Sequence, residues 1–387
     1  MQRIPVARPD LGDAEVDAVR RVIASGWVTQ GPEVEAFEHA FAEYVGAPHA
    51  CAVSSGTTAL HCALLAAGVG PGDEVVTVSH SFIATANAVR HAGAVPVFVD
   101  IAPGGFNIDV DAAAAAIGPR TRALLVVHQV GMPCDLARLV PLARRHGLAL
   151  VEDAACATGS EIRLDGTWHR IGAPLSDAAC FSFHPRKVIT TGDGGMVTTP
   201  HADWAARIRA LRHHGMGVAA HVRHAASQVI VEGYDTPGWN FRLTDLQAAI
   251  GRVQLAALPG FVARRRALAA RYASALAGHP RLVLPAEPDW ARSNWQSYVV
   301  GLADGLDRNA TMQRLLDAGI ATRPGVMCAH REGAWTQPGA WRCVGDPATA
   351  LAESERATDR SIVIPLMPSM TEADQDRVVE ALERFTR

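Results

Sequence analysis

Short apolar runs recur along the first half of the chain with helical stretches between them, and this alternation narrows the possible folds more than any other feature. The runs lie at 50–53, 74–78, 95–99, 123–127 and 148–151, and the helical stretches between them at about 58–67, 84–91, 109–117 and 136–145. A strand that is apolar at nearly every position is buried on both faces, and an intervening helix carries the chain back to a parallel neighbour. Further runs at 178–183 and 195–199 raise the expected count to about seven strands. The expected fold class is therefore α/β, a mostly parallel seven-stranded sheet flanked by helices. Two helices precede it. The first opens at Asp13, carries Val16, Val19, Val22 and Ile23 at helical spacing and stops at Gly26. The second follows Pro32, turns Val34, Phe37, Phe41 and Tyr44 to one face and stops at Gly46. A glycine-rich loop, SGWVTQG, joins them and contains Trp27 and Thr29.

The rhythm changes after a helix expected over 244–258. Pro259-Gly260 reads as a break, followed by an Arg-rich amphipathic helix over 261–276, a strand near 296–302, a helix at 311–318 and a strand at 361–365. A last helix opens at Thr371 with Val378, Val379 and Leu382 facing inward. These elements predict a smaller α+β domain over 259–387 behind a large domain over 1–258, as suits a chain of 387 residues. Residues 323–347, rich in Gly, Pro and Trp, read as an irregular loop.

Composition excludes several roles. A net charge of −3 leaves no basic footprint for nucleic acid or a membrane surface. The N-terminus is too charged for a signal peptide, and no apolar run reads as long enough to span a membrane, so a cytoplasmic protein is expected. The seven cysteines are scattered without CxxC or Cys/His spacing, and His213, His214, His221 and His224 show no ligand periodicity. No metal site is expected.

Chemistry concentrates around the stretch FSFHPRKVITTGDGGM at 181–196. It holds Lys187, the single lysine among 36 basic residues. Arginine replaces lysine on a solvated surface at little cost, but it cannot form a covalent imine with a carbonyl. Three other features fall at strand ends. Ser54-Ser55-Gly56-Thr57-Thr58 follows a strand and opens a helix, where free N–H groups and hydroxyls make an anion cradle, although Ser and Thr cap many helices. Asp153 ends a strand in VEDAA and could cap a helix, bind a metal or hold a protonated ring nitrogen. Phe82 lies in a loop after a strand, where core packing is its ordinary role. Ser182 and the glycines at 192, 194 and 195 let the backbone close around a bound group. The chain has no GxxxxGK[ST] and no GxGxxG. One cofactor needs all four features together: pyridoxal 5'-phosphate requires a lysine at its aldehyde, a cradle for its phosphate, a carboxylate at its ring nitrogen and a flat apolar face.

Over nearly its whole length the chain also resembles the DegT/DnrJ/StrS family of pyridoxal-phosphate sugar aminotransferases, of fold type I. The resemblance rests on ASGWVTQGPEVEAFEHAFAEYVG at 24–46, SSGTTALHCALLAAGVGPGDEVVTVSHSFIATANAV at 54–89 and VEDAACATGSE at 151–161. It also rests on DAACFSFHPRKVITTGDGGMVTT at 177–199 and WNFRLTDLQAAIGRVQL at 239–255. It implies that Lys187 is the Schiff-base lysine, that Asp153 pairs with the pyridine nitrogen and that Phe82 stacks on the ring. It implies that Gly56, Thr57, Thr58 and Ser182 hold the phosphate, with Asn240 lent by the partner subunit of a homodimer. Arg242 is implied near a substrate anion, and Trp27, Thr29 and His184 on the substrate side. Cys156 stands where many relatives have Gln or His near the ring hydroxyl, and a thiol is a poorer donor there. Because the lysine is kept, the resemblance implies transamination from an amino acid such as L-glutamate, through the pyridoxamine 5'-phosphate form, to a nucleotide-linked keto sugar. A non-nucleotide ketone such as a cyclitol, and a non-catalytic cofactor-binding protein, are the other readings.

Overall fold

The computed structural model describes residues 3–217, 227–228 and 231–386; His221 and His224 of the histidine cluster lie outside them. In its first part the chain forms helices α1 (Asp13–Ser25) and α2 (Pro32–Val45), strand β1 (His49–Val53), α3 (Gly56–Ala66), β2 (Glu74–Val78), α4 (Ala84–His91) and β3 (Val95–Val99). Then follow α5 (Val110–Ala115), β4 (Thr121–Val127), α6 (Leu136–His146), β5 (Ala149–Asp153), the hairpin β6 (Glu161–Leu164) and β7 (Thr167–Arg170), β8 (Ala178–Ser182), β9 (Gly195–Thr199) and α7 (Ala202–Leu211). Seven of these strands make one sheet in the order β1-β9-β8-β5-β4-β2-β3. Only β9 opposes the others, pairing antiparallel with β1 and β8.

Burial explains why the strands read as continuous apolar runs. Alternate residues point to opposite faces, and both faces are covered. Ala50, Ala52, Val76, Val78, Leu124 and Val126 pack with Phe37 and Phe41 of α2. Cys51, Val53, Val75, Ala123 and Leu125 pack with Leu60 and Leu64 of α3. Removing an aromatic as fully buried as Phe37 or Phe41 from water contributes about 1.5–3 kcal/mol.

A second sheet, β10-β12-β14-β13, is built from β10 (Leu282–Val283), β12 (Tyr298–Leu302), β13 (Arg323–Pro324) and β14 (Ser361–Ile364). The short β11 (Ala291–Arg292) instead joins β6 and β7. With α9 (Arg308–Asp317) and α11 (Glu372–Phe385) the second sheet encloses a core of its own around Tyr272, Tyr298 and Leu315. The helix α10 (Ala352–Arg360) precedes β14.

The break expected at Pro259-Gly260 does not occur. The helix α8 runs unbroken from Asp245 to Ala275 with Pro259 inside it, so it crosses the division expected at 258/259. Leu255, Leu258 and Val262 are buried in the core beneath the large sheet, and Leu268, Ala269 and Tyr272 in the core of the small one. Packing on both sides of the proline outweighs one lost backbone hydrogen bond, a local cost of about 3 kcal/mol. This helix is also long and apolar enough by composition to cross a membrane, contrary to expectation. The periodicity of α1 misleads as well: Ala18 and Val22 are buried against Ala249, whereas Val16 and Ile23 stand 54% and 61% exposed.

Asp245, the first residue of α8, is buried and holds the start of α2. The N-cap of α2 is Gly31, which has no side chain to cap with. Asp245 supplies the missing acceptors: Oδ1 takes the N–H groups of Gly31 at 2.7 Å and Val34 at 3.0 Å, and Oδ2 takes that of Glu33 at 3.2 Å. Its own N–H donates to the Thr29 carbonyl at 3.1 Å, so the Trp27 loop is tied to the same point. Asp245→Ala leaves these donors unmet and is expected to lower unfolding free energy by about 2–3 kcal/mol. Thr371→Ala, which removes an ordinary cap from α11, is expected to cost about 1 kcal/mol. Urea denaturation of the two variants measures both losses, and equal losses would show that α2 is not held from Asp245.

Candidate active site

Because six strands of the large sheet run the same way, their carboxyl ends share one edge, where loops lead to helix N-termini. A cavity of ≈ 560 Å³ opens there, between this edge and the β13–β14 edge of the small sheet. Gly56, Thr57, Phe82, Asp153, Cys156, Ser182, His184 and Lys187 all line it.

The cradle is the first turn of α3. Ser55 caps it, its hydroxyl accepting from the Thr58 N–H at 3.2 Å, while the first N–H groups of the helix have no partner within it. Glycine is needed at 56 because a Cβ there would lie 2.8 Å from the Ser182 Cβ. Thr58 departs from expectation. Its hydroxyl accepts from the Ser55 N–H at 2.9 Å and donates to the Ser55 carbonyl at 2.8 Å, and the residue does not line the cavity. It completes the cap, and the open N–H groups belong to the residues before it.

Asp153 sits at the tip of β5, buried and oriented from two sides. Thr85 donates its hydroxyl to Oδ2 at 2.7 Å, and the Ala155 N–H reaches Oδ1 at 3.1 Å. Thr85 in turn is 2.7 Å from the Ser81 hydroxyl. Neither Thr85 nor Ser81 is singled out by sequence reasoning. The available signal was a threonine on the first turn of α4, facing the strand ends.

Lys187 follows β8 in a loop whose shape is set by Phe183. The Phe183 N–H bonds the Gly194 carbonyl at 2.8 Å, and its carbonyl accepts from the Thr191 N–H at 3.0 Å and the Thr190 hydroxyl at 2.8 Å. Val188 and Ile189 anchor the loop in the core. The Lys187 Nζ has no carboxylate within ion-pair reach among the described residues; its hydrogen-bond partner is the Cys156 Sγ at 3.1 Å. Phe82 does not take the ordinary core role of an aromatic but stands 60% exposed on the cavity wall. His184 is half-buried, and its Nδ1 accepts from the Arg186 N–H at 3.2 Å. Burial first, and then the Arg186 charge, holds this imidazole below its usual pKa.

Trp27, Thr29, Asn240 and Arg242 do not line this cavity. They gather instead around the start of α8. Trp27 donates its indole N–H to the Gln30 carbonyl at 3.1 Å, and Arg242 donates to the His213 Nδ1 at 2.6 Å. Asn240 bridges to His213 and is exposed. The structure thus brings together one set of the sequence-predicted residues around Lys187 and a second set away from it.

The first set suits pyridoxal phosphate. The glycine-floored first turn matches a phosphate, the doubly held Asp153 a ring nitrogen, the exposed Phe82 an aromatic face, and the unpaired amine of Lys187 an aldehyde. Among the described residues no cluster of His, Cys, Asp and Glu could hold a metal ion.

Comparison with known proteins agrees. The profile of the DegT/DnrJ/EryC1/StrS aminotransferase family matches residues 9–383. The aminotransferase TlmJ of Streptoalloteichus hindustanus is 36% identical, with 99% of this chain and 98% of that one covered and a TM-score of 0.88. The sugar aminotransferase CalS13 of Micromonospora echinospora is 31% identical, with 98% and 99% covered and a TM-score of 0.87. Spr1654 of Streptococcus pneumoniae in its PMP form is 27% identical, with 99% of each chain covered and a TM-score of 0.90. Spr1654 has also been solved in a PLP form. With this match along the chain and a site shaped for the cofactor, the protein belongs to the DegT/DnrJ/EryC1/StrS family and is a pyridoxal-phosphate-dependent aminotransferase.

Proposed function

We propose that the protein transfers an amino group from L-glutamate to a keto sugar carried on a nucleoside diphosphate, with Lys187 as its catalytic amine. The observation that carries this reading is the Lys187 Nζ with no carboxylate at ion-pair distance among the described residues, in the cavity that the cradle and Asp153 also line. Bound there, pyridoxal phosphate supplies the carbon that takes up the amino group and a ring that accepts the electrons released by deprotonation. Lys187 would hold the cofactor at its aldehyde, and its free amine would take up the proton from the donor Cα. Asp153 keeps the ring nitrogen protonated, with Thr85 and the Ala155 N–H fixing the direction of its carboxylate. The N–H groups opening α3, with Ser182, hold the phosphate, and Phe82 covers the ring. The sugar acceptor is supported by the full-length likeness to CalS13.

The reading includes a homodimer with shared sites, in which Asn240 and Arg242 of one subunit reach the Lys187 cavity of the other. Three observations support it. These two residues lie apart from their own cavity, Trp239 is partly exposed and stacks on Phe241, and Leu11, just before α1, leaves an apolar stretch uncovered together with Val16 and Ile23 of that helix.

Lys187→Ala is expected to abolish the long-wavelength absorption of the lysine-bound cofactor and glutamate-driven transamination together; a variant that still transaminates sinks the assignment. Thr85→Val, which frees one oxygen of Asp153, is expected to lower kcat roughly tenfold while the cofactor absorption persists. Thr85→Ser should restore most of the rate. Shared sites predict complementation. Mixing inactive Lys187→Ala with Asn240→Asp should regain activity, because one site of each mixed dimer draws both native residues. No recovery after subunit exchange would argue that each site is complete within one chain.

A further inference from the structure

Two arginines line the Lys187 cavity, and their guanidinium groups have no ion-pair partner among the described residues. Arg186 immediately precedes Lys187, and Arg323 comes from β13, the edge strand of the small sheet. Neither makes an ion pair or a side-chain hydrogen bond among the described residues, although the chain pairs many of its other arginines. Arg252 pairs with Glu33, Arg266 with Glu161 and Arg331 with Asp359. Burial and then the charge of Arg186 hold the Arg323 guanidinium below its ordinary pKa, and both arginines act on His184. Positive charge is therefore crowded here. The acids lining the cavity are Asp153, already engaged by Thr85 and Ala155, and Asp193, whose charge acts on His184.

Both arginines are exposed on the cavity wall, so their charges face the space that a substrate enters, and an anion placed there meets both. The cavity already has one anion site in the first turn of α3, and the cofactor phosphate suits it. A second cationic site in the same cavity serves something else. A transaminase also empties and refills one cavity in each cycle, so donor and acceptor must find their counter-charge in the same space. An oxyanion is the chemistry that an amino acid and a phosphoryl-bearing acceptor have in common.

We propose that Arg186 and Arg323 form an oxyanion subsite for the substrates, taken in turn by the donor carboxylate and by a phosphoryl group of the acceptor. The proposal rests on the reading of Lys187 as the transaminating amine. Guanidinium groups suit it because their planar donors match carboxylate and phosphate oxygens.

The test uses the cofactor-loaded enzyme and its Arg186→Gln, Arg323→Gln and Arg323→Lys variants. L-Glutamate is titrated by its effect on the cofactor absorption and thymidine diphosphate by calorimetry. Each glutamine variant is expected to weaken both ligands about ten- to a hundredfold, with Arg323→Lys falling between it and the wild type. An unchanged resting absorption in each variant shows that the fold and cofactor site survive. Weakening of glutamate alone assigns the subsite to carboxylates, and weakening of the diphosphate alone assigns it to phosphoryl groups. If the wild type ignores glutamate while the diphosphate still depends on the arginines, the donor reading fails and the subsite stands. Unchanged binding of both ligands in both glutamine variants, or binding of neither by the wild type, overturns it.

Discussion

No side chain fits at position 195, and the geometry of the site depends on that. Gly195 begins β9, level with Val53 at the end of β1 and Ser182 at the end of β8. A Cβ there would lie 2.3 Å from the Ser55 carbonyl oxygen and 2.9 Å from the Gly56 nitrogen. The opening of α3 can therefore rest directly on the start of β9. With Gly56 in turn against Ser182, the anion cradle and the strand leading to Lys187 touch through two missing side chains. The β5–β8 pairing adds the third member, setting Asp153 opposite Cys180, two residues before Ser182. Cradle, carboxylate and amine thus take their spacing from strand pairing and from the close approach of two glycines, one to the backbone of Ser55 and one to Ser182.

The far wall of the cavity needs its own constraint, since it belongs to the small sheet. Two ties supply it. The first is α8, whose buried residues are shared between the two cores, so the sheets cannot part without exposing one of them. The second is a short relay at the end of β2. The Ser79 hydroxyl accepts from the His330 N–H at 3.1 Å and lies 2.7 Å from the His330 Nδ1, to which its own proton then points. That leaves Nε2–H to donate to Glu355 at 3.0 Å. With the Ala329 N–H bonded to the Ser79 carbonyl at 2.8 Å, the segment after Arg323 is fastened to the large sheet beside the loop of Phe82. Arg323 therefore approaches the cavity from an anchored strand.

The large sheet was legible because burial on both faces writes itself into the chain as continuous apolar runs. The hairpin of β6 and β7 has a local signature too: Asp165 and Gly166 both take positive φ, the turn that an Asp-Gly pair between strands favours. Other features have no local signature. Pro259 reads as a break because local rules count the lost hydrogen bond and not the two cores holding the helix. Val16 and Ile23 recur at helical spacing, yet their face is uncovered in the single chain, which periodicity cannot distinguish from a buried one. Nothing local separates Phe82 from an ordinary core aromatic, and only the cofactor's need for a flat apolar face and the resemblance single it out. The task of Thr85 is set by Asp153, far away in sequence, and that of Asp245 by a helix that starts before the first strand. Asn240 and Arg242 look like ordinary loop residues, and only resemblance singles them out.

Lys187 is the point at which sequence and structure constrain each other most. A chain that uses arginine at every other basic position keeps a primary amine here, where covalent chemistry requires one. An amine that must attack a carbonyl has to be unprotonated at that moment, and a carboxylate at ion-pair distance would oppose this by stabilising the ammonium. Among the described residues no carboxylate lies at that distance from Lys187. Asp153 lines the same cavity, yet its oxygens take the Thr85 hydroxyl and the Ala155 N–H and make no ion pair with the amine, whose partner is the Cys156 sulfur. A thiol is a weak acceptor. As the acceptor of a Lys187 N–H it steadies the amine and leaves its lone pair open, which gives the departure at position 156 a use that the family resemblance does not suggest.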